Sequence, residues 1–192
     1  MRENYARIRE EVGEAVTIVA ATKYVSVKEM SSLVEAGVEV VGENRAQELE
    51  RKHAEYGGAF RWHFIGHVQS NKVKVINGIC ELVHSLASES VAGRLTVPAL
   101  VEVNLAGEAS KSGIAPADLP HFLELYGDVR GLMTMPPETG DPELSRPHFR
   151  RLRELAEENG LSELSMGTSQ DYRVAAEEGA TLIRVGSVLY GE

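Results

Sequence analysis

The sequence predicts an α/β protein: a single (β/α)8 barrel of the TIM type spanning residues 1–192, with an extra helix at its N-terminus. Three observations carry this. Eight short apolar or β-branched segments recur along the chain, and polar-apolar stretches of helical period separate most of them. Glycines close several of those stretches, at Gly37, Gly57, Gly160 and Gly179, where a left-handed C-cap is expected. Strand and helix patterns alternating in this way argue for βαβ units and a parallel sheet. A doubly wound open sheet is the alternative. The barrel is preferred because the strand count is eight and no Gly-x-Gly-x-x-Gly turn follows the first strand.

In order, the opening MRENYARIREEVGEA places Tyr5, Ile8 and Val12 at helical spacing, as a helix covering barrel surface would. The strands are then expected at VTIVAATK (16–23), VEVVGENR (38–45), RWHFIGH (61–67), ICELVHS (79–85), PALVEVNL (98–105), VRGLMTM (129–135), LSELSMG (161–167) and TLIRVGS (181–187). Helices are expected in VKEMSSLVEAG, RAQELERKHAEYG, NKVKVING, HFRRLRELAEENG and SQDYRVAAEEGA. SLASESVAGRLTV leaves room for only a short helix, and PPETGDPELSRPHF reads as a loop.

Composition narrows the function. At 43% hydrophobic and 26% charged residues the chain reads as a soluble globular protein. No apolar run approaches the roughly 18 residues of a membrane span, and the charged N-terminus lacks the apolar centre of a secretory signal. A cytoplasmic location is expected. The net charge of −9 disfavours broad nucleic-acid binding, although a local pocket can still be positive. Cys80, the one cysteine, sits in an apolar segment and reads as core. Without a large exposed apolar stripe, a monomer is expected.

In a barrel, ligands sit at the C-terminal ends of the strands. The expected ends are Lys23, Asn44, His67, Ser85, Asn104, Met135, Gly167 and Ser187. Lys23 follows a run that reads as buried. An ammonium group near low-dielectric walls is more easily deprotonated, which suits attack on a carbonyl to form a Schiff base. Such a lysine serves an aldolase or binds pyridoxal phosphate; a snorkelling lysine is the structural alternative.

After the seventh strand, Thr168 and Ser169 open a helix, with Asp171 at capping-box spacing. Helix N-termini favour phosphate, and Gly186 and Ser187 after the eighth strand could meet the same anion. Arg184 shares a face with Gly186, inferred to be the barrel interior. Facing a pyridine nitrogen, it would donate a hydrogen bond and keep that nitrogen unprotonated; a salt bridge to Glu102 is the alternative. His63 and His67 share a face but stand roughly 13 Å apart in a strand, too far for one metal, and no metal site is expected. Met133 reads as packing, with a ring-facing role as its alternative.

Taken together, the segments AATKY, VGENRAQE, WHFIGHVQSNK, VEVNLAGEASKSG, GLMTM, LSMGTSQDY and IRVGSVLYG resemble the pyridoxal phosphate homeostasis proteins, single-barrel relatives of the alanine racemase N-terminal domain. The resemblance covers about Val19 to Gly191. It implies that Lys23 holds pyridoxal 5'-phosphate as a Schiff base, that Arg184 faces the pyridine nitrogen, that Ser169, Gly186 and Ser187 hold the phosphate and that Asn44 lines the ring. Thr168 stands where many members carry methionine, and Ser187 where threonine is common. The implied role is cofactor homeostasis or carriage with little or no turnover, with Lys111 or Lys72 as candidates to assist release to an incoming amine. An amino-acid racemase and a class I aldolase are the enzymatic alternatives. The racemase needs a second acid/base on the other face of the cofactor, which in alanine racemases resembles a tyrosine from a separate domain.

Overall fold

A computed structural model describes residues 1–107 and 112–191. Eight strands pair in parallel in chain order and close on themselves: β1 (Thr17–Ala21), β2 (Val40–Glu43), β3 (Arg61–Phe64), β4 (Leu82–Leu86), β5 (Ala99–Glu102), β6 (Val129–Met133), β7 (Glu163–Ser165) and β8 (Leu182–Val185). The helices around them are α1 (Arg2–Val12), α2 (Met30–Ala36), α3 (Ala46–Tyr56), α4 (Val73–Ile79), α5 (Glu89–Ala92), α6 (Leu119–Leu125), α7 (Arg146–Glu158), α8 (Tyr172–Glu177) and α9 (Ser187–Tyr190). Closure is set by β8 pairing back to β1, with Val19 opposite Arg184. The barrel is therefore the fold, and the open sheet is excluded.

Alternation along each strand sorts the side chains into two cores. Ile18, Ala20, Val41, Val83, Val101, Leu132, Leu164 and Ile183 point outward under the helices. Val19, Val40, Leu82, Leu100, Met133 and Leu182 form a separate apolar layer inside the barrel. Helices α2 and α9 end where glycine permits a left-handed backbone, at Gly37 and Gly191, whose φ values are 78° and 83°. The Cys80 side chain is buried in the outer core, and burial pushes its thiol up to about 12.

The N-terminal helix takes the covering role expected of it. It packs against α2, α8 and α9 with Ile8 fully buried. The Glu11 carboxylate accepts from the Tyr172 hydroxyl and from Arg173 at 2.7 Å and 3.1 Å. That Arg173 guanidinium holds the Glu11 carboxyl below its usual range.

Three features differ from the sequence reading. All strands but the fourth stop one to three residues before their expected ends, so Lys23 and Asn44 stand on the connections beyond the ladder and Ser187 opens α9. Helix α6 forms where the polar stretch before it hid the pattern, burying Leu119 and Phe122. Its Pro120 falls in the first turn, where a missing N–H is tolerated. Finally, α8 starts at Tyr172 rather than at Thr168, after a separate turn over residues 168–171.

Candidate functional site

Lys23, Asn44 and Arg184 come from three neighbouring strands, since β1 lies between β8 and β2. Lys23 is exposed, two residues beyond β1, with Nζ 4.6 Å from the centre of the Tyr24 ring. The buried run before it thus ends in a cation at the mouth rather than in a buried one. Asn44 is half-buried, and its Oδ1 is enclosed without a hydrogen-bond partner among the described residues. A buried carbonyl oxygen left in this way costs free energy unless something donates to it.

The backbone under these two residues is fixed by a buried ion pair that sequence reasoning did not single out. Lys52 on α3 and Glu43 at the end of β2 are each 1% exposed in their side chains and directly paired. Lys52 Nζ also donates to the Thr22 carbonyl at 2.7 Å, and the Thr22 hydroxyl donates to Glu43 Oε1 at 2.6 Å. Glu43 Oε2 accepts from the Asn44 N–H at 3.1 Å. One carboxylate therefore ties together the residue before Lys23 and the backbone of Asn44. The signal was spacing: Lys52 follows Leu49 by three positions on the buried stripe of α3.

Arg184 lies inside the barrel, as its alternation with Gly186 predicted, and is 6% exposed. It makes no ion pair with Glu102; the Glu102 carboxylate accepts from the Ser112 hydroxyl instead. The guanidinium donates to Ser165 Oγ, to the Thr134 carbonyl at 3.1 Å and to Met135 Sδ at 3.1 Å. Burial lowers its pKa to about 10, against the field of Glu102 and Asp171, so it stays charged at neutral pH. Met133 is buried in the inner apolar layer. Below Arg184, Ser165 Oγ meets His84 Nδ1 at 2.8 Å, and His84 Nε2 meets His63 Nδ1 at 2.9 Å. His63 therefore partners His84, while His67 is exposed on the connection after β3.

At the ends of β7 and β8, two backbone N–H groups converge on one oxygen. Ser169 Oγ accepts from Gly186 at 2.9 Å and from Val188 at 3.4 Å. These amides are already met by the Ser169 oxygen, so an anion's oxygen taking them would displace the Ser169 hydroxyl. A Cβ on Gly186 would meet nothing nearer than 3.9 Å, so the space over this turn is open. Ser187 is exposed beside it. Thr168 is committed differently: its N–H and its hydroxyl both donate to Asp171 Oδ1, at 2.7 Å and 3.1 Å. The expected capping box is therefore only half formed, and Thr168 turns its donors away from the anion position. The Tyr190 hydroxyl donates to the Ala21 carbonyl at 3.0 Å, tying α9 to the strand that leads to Lys23. Lys72 is half-buried in the turn Ser70–Lys72, and Lys111 lies outside the described residues.

The family model described as "Alanine racemase, N-terminal domain" matches residues 1–192. A pyridoxal phosphate homeostasis protein of Aquifex aeolicus is 39% identical, over 91% of this chain and 86% of its own length. Another from Pseudomonas aeruginosa is also 39% identical, over 97% of this chain and 91% of its own. The chain belongs to the pyridoxal phosphate homeostasis protein family. Among solved structures, the PipY protein of Synechococcus elongatus PCC7942, determined without PLP and with PLP bound, is 31% identical and covers 99% of both chains. The TM-scores are 0.88 and 0.86 respectively. The family resemblance read from the sequence is thus confirmed.

Proposed function

We propose that this chain binds pyridoxal 5'-phosphate as a Schiff base on Lys23 and serves to hold and hand on the cofactor, with little or no turnover. The observation that carries the reading is the joint placement of an exposed lysine, a buried arginine and a turn whose amides converge on one oxygen, all at one mouth of the barrel. The bound PLP in the related PipY structure supports it.

The residues present fit the group. Lys23 supplies the amine: its nitrogen forms a C=N bond to the aldehyde carbon and one water leaves. Ser169 and Ser187 would take the phosphate, the Gly186 and Val188 amides exchanging the Ser169 oxygen for one of the phosphate's. Asn44, whose amide oxygen has no donor among the described residues, would line the ring. Arg184 donates to the pyridine nitrogen and, as a permanent cation at neutral pH, does not give that nitrogen a proton. Met133 supports the floor through the inner apolar layer rather than by polar contact. Thr168 is left out of the phosphate grip because its donors serve Asp171.

When bound, pyridoxal phosphate supplies an aldehyde carbon that exchanges between amines and a ring that can accept electrons. An arginine at the ring nitrogen weakens that acceptor, which favours holding over turnover. Release to an incoming amine exchanges one C=N bond for another and returns the Lys23 amine. We place the chain in the cytoplasm as a monomer. Its exposed large apolar side chains, among them Tyr24, Leu125 and Leu144, stand on separate elements.

Incubation with pyridoxal phosphate followed by desalting tests the binding: a visible absorption band retained with the protein is expected, and a colourless protein refutes it. Loss of α-deuterium from labelled amino acids tests the carrier role. Slow exchange is expected; rapid exchange would assign a racemase-like activity instead.

A further inference from the structure

Below Arg184 the barrel interior holds a line of polar groups that the cofactor reading does not use: Ser165, His84 and His63. Ser165 is fully buried, as is His84, and His63 is 2% exposed, so water does not screen them. The donors along this line can be worked out. Arg184 can only donate, so Ser165 Oγ accepts from it. If the Ser165 hydroxyl then donates to His84 Nδ1, His84 carries its proton on Nε2 and donates to His63 Nδ1. His63 is left with an Nε2–H. In the opposite direction, His84 would donate to Ser165 from Nδ1, and the Ser165 proton would find no acceptor in the line.

The first arrangement leaves one buried group without a partner, the second leaves two. His63 Nε2, buried and unpartnered among the described residues, is the orphan common to both, so the choice rests on the Ser165 proton, which only the first arrangement gives an acceptor. Charging either ring is opposed by burial, and for His84 also by His63 and Arg184 beside it.

We propose that Ser165 and His84 are positioning residues for Arg184, anchoring its guanidinium through a one-way hydrogen-bond chain in which both histidines are neutral Nε2–H tautomers. The chain explains how a cation with no paired carboxylate among the described residues is held at one orientation within the barrel. Thr134 fixes the other end of the guanidinium through its carbonyl, and the Thr134 hydroxyl donates to the Val103 carbonyl at 2.9 Å. The effect on the cofactor rests on the reading of Arg184 as the group that meets the pyridine nitrogen. The tautomers do not.

The test uses the full chain with 15N-labelled histidine, the two rings being assigned through His63→Gln and His84→Gln. Without added cofactor at neutral pH, both rings should show a protonated Nε2 and a bare Nδ1. An imidazolium, or a proton on Nδ1 in either ring, would overturn the chain. Ser165→Ala removes the link, and its expected effect is a moved His84 Nδ1 resonance, a displaced visible band and an affinity for pyridoxal phosphate lowered about tenfold. His84→Gln, which still accepts and donates, should retain affinity within about twofold, whereas His84→Leu should resemble Ser165→Ala. A folded Ser165→Ala protein with unchanged band and affinity would overturn the positioning role. Failure of the wild-type protein to colour would instead overturn the reading of the site, which the resonances of the cofactor-free protein leave separate.

Discussion

Lys23, beyond β1, and Lys52, on α3, flank the same pair of strands and live in opposite surroundings. Lys23 is exposed at the barrel mouth beside Tyr24. Lys52 is enclosed, with its ammonium on Glu43 and on the Thr22 carbonyl. The first is available to react; the second is enclosed with two of its donors engaged and has become part of the scaffold. Lys23 is open to an incoming aldehyde, and the burial is placed one layer away, where it stiffens the backbone that presents it.

This contrast can be broken by experiment. The largest effect is expected from Lys52→Met, which leaves the Glu43 carboxylate buried without its partner and should cost about 3–5 kcal/mol in urea unfolding. The double variant Glu43→Leu/Lys52→Met should recover much of that loss, since an apolar pair needs no counter-charge. An unaffected single variant would mean that the pair is not the scaffold described.

The axial histidines offer a third kind of burial, neutral rather than paired. Burial lowers the His63 pKa to about 3 and that of His84 in the same direction, whereas unfolded histidines titrate near 6.5. Between those values the unfolded chain binds more protons. Stability is therefore full above pH ~6.5 and falls as the pH drops toward 3, by at most about 1.4 kcal/mol per pH unit for each ring. Urea midpoints taken from pH 7 to 4.5 check the sign, and His84→Gln should flatten the slope. A smaller effect, about 1 kcal/mol, is expected for Thr22→Val, which removes one hydrogen bond to Glu43 while keeping the shape. Smallest of all, Lys23→Ala should change stability by less than about 0.5 kcal/mol, as befits an exposed side chain.

The gap between these variants follows what the sequence could reveal. Strand count, parallel order and the interior face of Arg184 were legible because alternation and glycine caps are local patterns. Lys23 and the glycine-serine turn at Gly186 were legible as strand-end chemistry, and the family resemblance gave them roles. Lys52 was hidden because a lysine in RAQELERKHAEYG reads as a solvated face unless its partner is known, and Glu43 belongs to another element. His84 and Ser165 were hidden for a related reason: they are 81 residues apart in the chain and meet only when the barrel closes. Thr168 shows the opposite error, since its capping spacing was read correctly but the direction of its hydroxyl was not.

Borohydride reduction of the pyridoxal phosphate-loaded protein, followed by peptide mapping, tests the central claim most directly. The label should lie on the peptide carrying Lys23 and disappear in Lys23→Ala, with Lys52 unlabelled. Stoichiometric label on Lys52 or any other lysine, persisting in Lys23→Ala, would contradict the assignment of Lys23 as the group that holds the cofactor.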